Sequence, residues 1–242
     1  MRDNLPPISE IWVYLSGSPL LALVLTLSAY LLGLMLYERS DRNPLANPVL
    51  IAVILVTLSI NVLDMPYAKY FEGAQFVHFL LGTATVSLAI PIYKGFASLK
   101  GRMGILMLAL LAGGVTSIFT AVGMARWLGV DESLVQGLVA KSVTAPIAMG
   151  IAERVQASPT LTAIFAVSTG ILGAVLGRYV LDAMRVTAWW QRGFALGVGA
   201  HGIGTSRAFS VNPEAGAYAS LGMGLHGILG AVLIPYAVAW WF

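Results

Sequence analysis

Three stretches of the sequence set polar, glycine and proline residues among neighbours suited to lipid: 80–93 (LLGTATVSLAIPIY), 141–152 (KSVTAPIAMGIA) and 197–207 (GVGAHGIGTSR). Of these, the second has the clearest chemistry. Lys141 directly follows the apolar run Leu134–Ala140 and precedes Ser142, Thr144 and Pro146. An ammonium at membrane depth costs at least ~2.5–3.5 kcal/mol on insertion scales, so it must face a cavity or a partner. Its obvious use is to pair with an anion, helped by the N–H groups opening a half-helix at the break marked by Pro146. Two alternatives stand beside this: snorkelling to the interface from a shallow position, and a structural salt bridge to Glu132 or Glu153.

The third stretch holds Gly197, Gly199, Gly202 and Gly204 around His201, then Thr205, Ser206 and Arg207. Four such glycines make a continuous helix costly, by roughly 1 kcal/mol each relative to Ala. An unwound Gly-rich segment offers N–H groups that cradle a carboxylate or phosphate, so Gly202, Gly204 and Thr205 are candidate anion contacts. Arg207 reads as a second anion contact or an interfacial anchor. His201 is a candidate proton-coupling group, because imidazole titrates near neutral pH; the alternative is a neutral ring bonded to backbone. His78 and His226, alone on apolar spans, read as packed, hydrogen-bonded residues. In the first stretch Pro91 frees the carbonyl of Ser87. Gly82 is a second candidate break, and the hydroxyls of Thr83, Thr85 and Ser87 either repair loosened backbone or contact a ligand.

The elements that must position these residues are membrane spans. Hydrophobic residues make up 58% of 242 positions and charged residues 10%, against about 25% charged in soluble domains. Six charge-free runs are each at least 21 residues long, and about 20 suffice to cross a bilayer as a helix. The pattern predicts an all-α polytopic membrane helical bundle with discontinuous helices, one domain over 1–242. Spans fall at 18–37, 47–62, 103–126, 160–183 and 216–241, and broken elements at 74–93, 132–154 and 192–208. Interrupted helices persist in lipid only where protein or water covers them, which in transporters is where solutes bind.

Charge placement supports an inverted repeat with halves at about 18–127 and 132–242, provided that element 132–154 dips in and returns. Seven Lys/Arg then lie inside (Arg39, Arg42, Lys94, Lys100, Arg102, Arg185, Arg192) and four outside (Arg2, Lys69, Arg126, Arg154), in keeping with the positive-inside rule. Gly170, Gly173 and Gly177 share one helix face and read as helix packing, as does Gly113–Gly114. Cysteine is absent, which removes disulfides and thiolate chemistry. No HExxH, Cys/His cluster, P-loop or GxSxG occurs, so no metal, cofactor or enzyme activity is expected. The net charge of +3 is scattered through loops and does not suit nucleic acid. The N-terminus lacks a basic n-region, so no cleaved signal is expected.

These motifs carry a family likeness. Asn47-Pro48, LLGTATVSLAIPIYK at 80–94, KSVTAPIAM at 141–149, LTAIFAVSTGILGAVLG at 161–177 and AHGIGTSRA at 200–208 together resemble the LrgB/CidB family of bacterial membrane proteins. One departure is Thr83, where the family pattern usually has Pro. The resemblance implies the bacterial inner membrane, and one of two functions. Plant relatives and some bacterial ones are linked to transport of short carboxylates such as glycolate, glycerate or pyruvate. Bacterial members are described as antiholin- or holin-like regulators of murein hydrolase export and autolysis. The residues favour a carrier of small organic anions, since a pore has no need of a buried lysine or Gly-rich half-helices. The expected partners are the anion, the lipid bilayer, a second copy in a homodimer, and a small LrgA/CidA-type membrane protein.

Overall fold

The computed structural model describes residues 19–87, 90, 93 and 101–241. Among the described residues there is no strand. The helices are α1 (Pro19–Arg39), α2 (Pro48–Val62), α3 (Tyr67–Ser87), α4 (Met103–Trp127), α5 (Glu132–Leu138), α6 (Ala145–Arg154), α7 (Pro159–Ala183), α8 (Trp189–Val211) and α9 (Pro213–Trp241). Their starts follow from local chemistry. Asn47 accepts from the amides of Val49 and Leu50 at 2.9 and 3.1 Å, with Pro48 in the first turn of α2. Ser158 and Pro159 open α7 the same way, and Asp131 caps α5 through the amide of Ser133, so each satisfies donors the helix cannot. Among the described residues, four helices (α1, α4, α7 and most of α9) are long and apolar enough to cross a membrane. Large apolar side chains on all four stay exposed, among them Leu31, Leu108, Leu172 and Val232. The fold is an all-α membrane bundle.

The chain divides into two compact units, at residues 1–84 and 85–242. In the first, Gly33 of α1 lies against the main chain of Pro48, and Gly73 of α3 against Pro19 and Ala22. The hydroxyls of Thr26 and Tyr70 meet at 2.8 Å. Here one expectation is corrected. Helix α3 runs unbroken through Gly82, because a lone glycine costs a helix only about 1 kcal/mol. Thr83, unlike a proline, keeps its N–H, and its hydroxyl donates back to the carbonyl of Leu80 at 2.8 Å. Pro91 lies outside the described residues.

The second unit contains two helical hairpins that enter from opposite ends. Along α4 and the first arm of α8, contacts advance together: Arg102 lies over the Trp190 ring at 4.8 Å, and Gly113 faces Val198. Those two helices are therefore parallel. Helix α7 runs against that arm, since Asp182 pairs with Arg192 at 2.6 Å while Gly173 faces Ala200. The end of α4 and the start of α7 thus share one end of the bundle. Helix α5 leaves from that end and α6 returns to it, so 132–154 dips in and comes back. The turn between them, 139–144, is the hairpin tip.

At the other end, Gly193 and Gly197 press on the main chain of Ala215 and Ala219, so the first arm of α8 is parallel to α9. Gly204 then returns against Leu196 and Ala200, and Thr205 reaches Met223 of α9. The chain has reversed at His201, the one residue of α8 with non-helical angles (φ 39°, ψ −127°). This corrects the expectation of an unwound glycine segment. The turn takes a single residue, and the glycines at 193, 197 and 204 serve close packing. A core of Val122, Val135, Val143, Ala148, Ala166 and Ile234 surrounds the first hairpin. A second core, with Leu106, Leu110, Phe194 and Leu221, locks the other against α4 and α9.

Candidate anion site

The tip of the α5–α6 hairpin is almost wholly buried. Val139, Ala140, Ser142, Val143 and Thr144 are buried, and Lys141 is half-buried. Two tight turns, with the Lys141 amide on the Leu138 carbonyl and the Val143 amide on that of Ala140, pair part of the loosened backbone. Pro146 sits in the first turn of α6, where its missing N–H does no harm. The ammonium of Lys141 turns inward and donates to the Ser117 hydroxyl of α4 at 3.0 Å. That hydroxyl also meets the one of Ser142 at 2.9 Å. Lys141 is therefore held on the middle of a neighbouring span. The salt-bridge alternative does not form either: Glu132 pairs with Arg126, and among the described residues no carboxylate pairs with Lys141.

Around this cation lie groups that the protein leaves unsatisfied. Thr144 is the N-cap of α6, but its side chain makes no capping bond. Among the described residues, its Oγ1 is buried without a hydrogen-bond partner, as is Nε2 of His226. Each orphaned polar atom costs about 1–3 kcal/mol. The expectation that His226 is simply packed and bonded is thus half corrected: it is packed but not bonded. The imidazole lies against Gly114 of α4, where a Cβ would come 3.0 Å from its Cε1. Gly114 and Ser117 are one turn apart on the same face. Farther along α9, Gly227 and Gly230 admit Ile147 and Val143 of the first hairpin.

His201, at the other tip, is buried. Its Nε2 lies 2.8 Å from the carbonyl of Ala166. A carbonyl only accepts, so Nε2 carries the hydrogen. The ring seats on Gly170, where a Cβ would stand 2.6 Å from Cε1. Backbone bonding, the alternative weighed for this histidine, is what the structure shows. Its positive φ is unusual for a residue with a side chain, and such strain persists only where surroundings impose it. The Lys141 ammonium is within electrostatic reach of both the His201 and His226 rings.

Of the residues singled out from sequence, the structure gathers Lys141, Ser142 and Thr144 beside Ser117 and His226, with His201 nearby. Thr205 donates to Met223 Sδ at 3.7 Å, facing α9, and Gly204 is wedged between hairpin arms. Gly202 follows the tip with open space where a Cβ would go. Arg207 is half-buried farther along the returning arm. Ser87 ends α3, exposed, and the side chain of Thr85 lies outside those described. Ser117 is the residue that sequence reasoning missed. Its only signal was a hydroxyl one turn from Gly113–Gly114. Helix α6 and the returning arm of α8 both begin at the tips, so two positive helix ends lie at the level of Lys141.

An all-α membrane bundle with two opposed half-length hairpins and a cation at their tips defines a class: membrane proteins with broken helices around a polar centre. The chain belongs to the LrgB-like family, whose model matches residues 26–240. It is 33% identical to the uncharacterized protein YwbG of Bacillus subtilis, over 91% of this chain and 97% of that one. Holin-like protein CidB of Staphylococcus epidermidis is 28% identical, over 90% of this chain and 95% of its own length. CidB of Staphylococcus aureus is 27% identical over the same shares. No solved structure matches the chain.

Proposed function

We propose that this protein is a multi-pass carrier of small organic anions, short carboxylates above all, in a bacterial inner membrane. The observation that carries the reading is Lys141: a half-buried ammonium at a hairpin tip, bonded to Ser117 and paired with no carboxylate among the described residues. A fixed cation with no carboxylate partner among the described residues, facing two positive helix ends, suits a solute that brings the negative charge itself. The proposed site comprises Lys141, Ser142, Thr144 and Ser117, with the amides beside Gly202 as further donors. His201 holds the second tip in place in this reading, and Thr85 and Ser87 are left out. A homodimer, and assembly with a small LrgA/CidA-type protein, remain part of the proposal on the family likeness alone.

The test is uptake of labelled glycolate, glycerate and pyruvate by the purified protein in vesicles. Uptake saturates in the wild type, and Lys141→Ala lowers it by about tenfold to a hundredfold, since a charge-assisted contact carries about 1.5–3 kcal/mol. The variant keeps its thermal unfolding profile. Full uptake by Lys141→Ala removes lysine from the site. A second reading has its own support, because two of the relatives are named holin-like: a pore or regulator acting in the membrane without carriage. Unsaturable leak of ions and solutes, indifferent to Lys141→Ala, favours that reading.

A further inference from the structure

The anion reading gives the charge to Lys141 and assigns no bond to two buried polar atoms at the site. Thr144 is 9% exposed and His226 6% exposed, and neither the Oγ1 of one nor the Nε2 of the other has a hydrogen-bond partner among the described residues. They come from different elements, the first residue before α6 and the middle of α9, so no single local accident of folding accounts for both. Each borders the cluster that holds the cation. Thr144 is three residues from Lys141 in the same tip. His226 rests on Gly114, one turn from the Ser117 that holds Lys141 and Ser142. Glycine at 114 lets the ring sit this close, for a Cβ would crowd the imidazole at 3.0 Å. The bundle thus gives up a side chain on α4 to admit a ring whose nitrogen it then leaves unbonded.

Resting on the carrier reading above, we propose that His226 and Thr144 form the specificity contact of the site, binding an uncharged hydroxyl or carbonyl oxygen next to the solute's carboxylate. Lys141 takes the charge, and the imidazole Nε2 and the threonine hydroxyl take the second oxygen. Both partners can donate or accept, so a hydroxyl and a carbonyl both satisfy them. A plain fatty acid of the same length leaves the two atoms unpaired and binds worse, the kind of penalty by which polar sites reject analogues lacking a hydrogen-bonding group.

The experiment compares glycolate with acetate, equal in charge and carbon count, by concentration-dependent thermal stabilisation of the full-length purified protein. The wild type prefers glycolate by at least about tenfold, the worth of a single hydrogen bond or more. His226→Phe reduces that preference at least about fivefold, and His226→Gln, which keeps a polar nitrogen and oxygen, restores part of it. Thr144→Val, of matched shape, reads the same ratio and decides the matter if His226→Phe does not fold. Equal binding of the two acids by the wild type overturns the proposal, as does a preference that survives both His226→Phe and Thr144→Val. In those cases anion binding that depends on Lys141 persists and the carrier reading stands. Failure of the wild type to bind either acid sinks both.

Discussion

At the scale of the residue, glycines decide where the polar groups can sit. Gly170 makes room for the His201 ring, and a Cβ there would stand 2.6 Å from Cε1. Gly170→Ala therefore destabilises the protein by about 1–3 kcal/mol, the usual cost of overpacking, and lowers its melting temperature. Gly202→Ala, where a Cβ meets nothing within 4 Å, leaves stability unchanged or raises it by up to about 1 kcal/mol. Equal effects of the two substitutions would contradict the described seat. Lys141 was legible in the sequence because an ammonium inside an apolar run has few physical explanations. His226 and Ser117 were not. A single histidine or serine on an apolar span is ordinary, and only the approach of α9 to Gly114 and of Lys141 to α4 gives each a role.

At the scale of the element, the two hairpins make the sharpest claim. The chain has no cysteine, so single cysteines report cleanly. Ser133→Cys and Glu153→Cys flank the first hairpin at exposed positions, and Thr187→Cys and Glu214→Cys flank the second. A membrane-impermeant thiol reagent labels the first pair from one face and the second pair from the other. Labelling of Ser133→Cys and Glu153→Cys from opposite faces would mean that 132–154 crosses. The break near Pro146 could be read in advance, since proline, lysine and hydroxyls interrupt an apolar run together. The reversal at His201 was foreseen only as loosening over eight residues, because glycine's helix penalty and its use in close packing look alike in a sequence. The break awaited at Gly82 does not occur, for the surrounding helix formers outweigh one glycine.

At the scale of the whole molecule, charge separates the ends of the second unit. Arg102, Arg178, Arg185 and Arg192 lie with Asp182 and Glu214 at the end where α8 enters, and Arg126 and Arg154 lie with Asp131, Glu132 and Glu153 at the other. In the proposed inner-membrane setting the positive-inside rule predicts that the first end faces the cytoplasm, so Thr187→Cys and Glu214→Cys should label only after cells are permeabilised. The tip arms have 7 to 12 residues, or about 10–18 Å of helix, which reaches roughly the middle of a 30 Å hydrocarbon layer. A voltage across the bilayer therefore acts on any ion arriving there. Moving one charge through the full drop is worth about 2.3 kcal/mol per 100 mV, and halfway about 1 kcal/mol, roughly fivefold in affinity. Holding vesicles at imposed diffusion potentials should shift half-saturation for a monovalent solute by that factor, in the direction set by polarity. Lys141, stationary and half-buried, would then act as a built-in electrode, making entry from either face an electrical event before any conformational one.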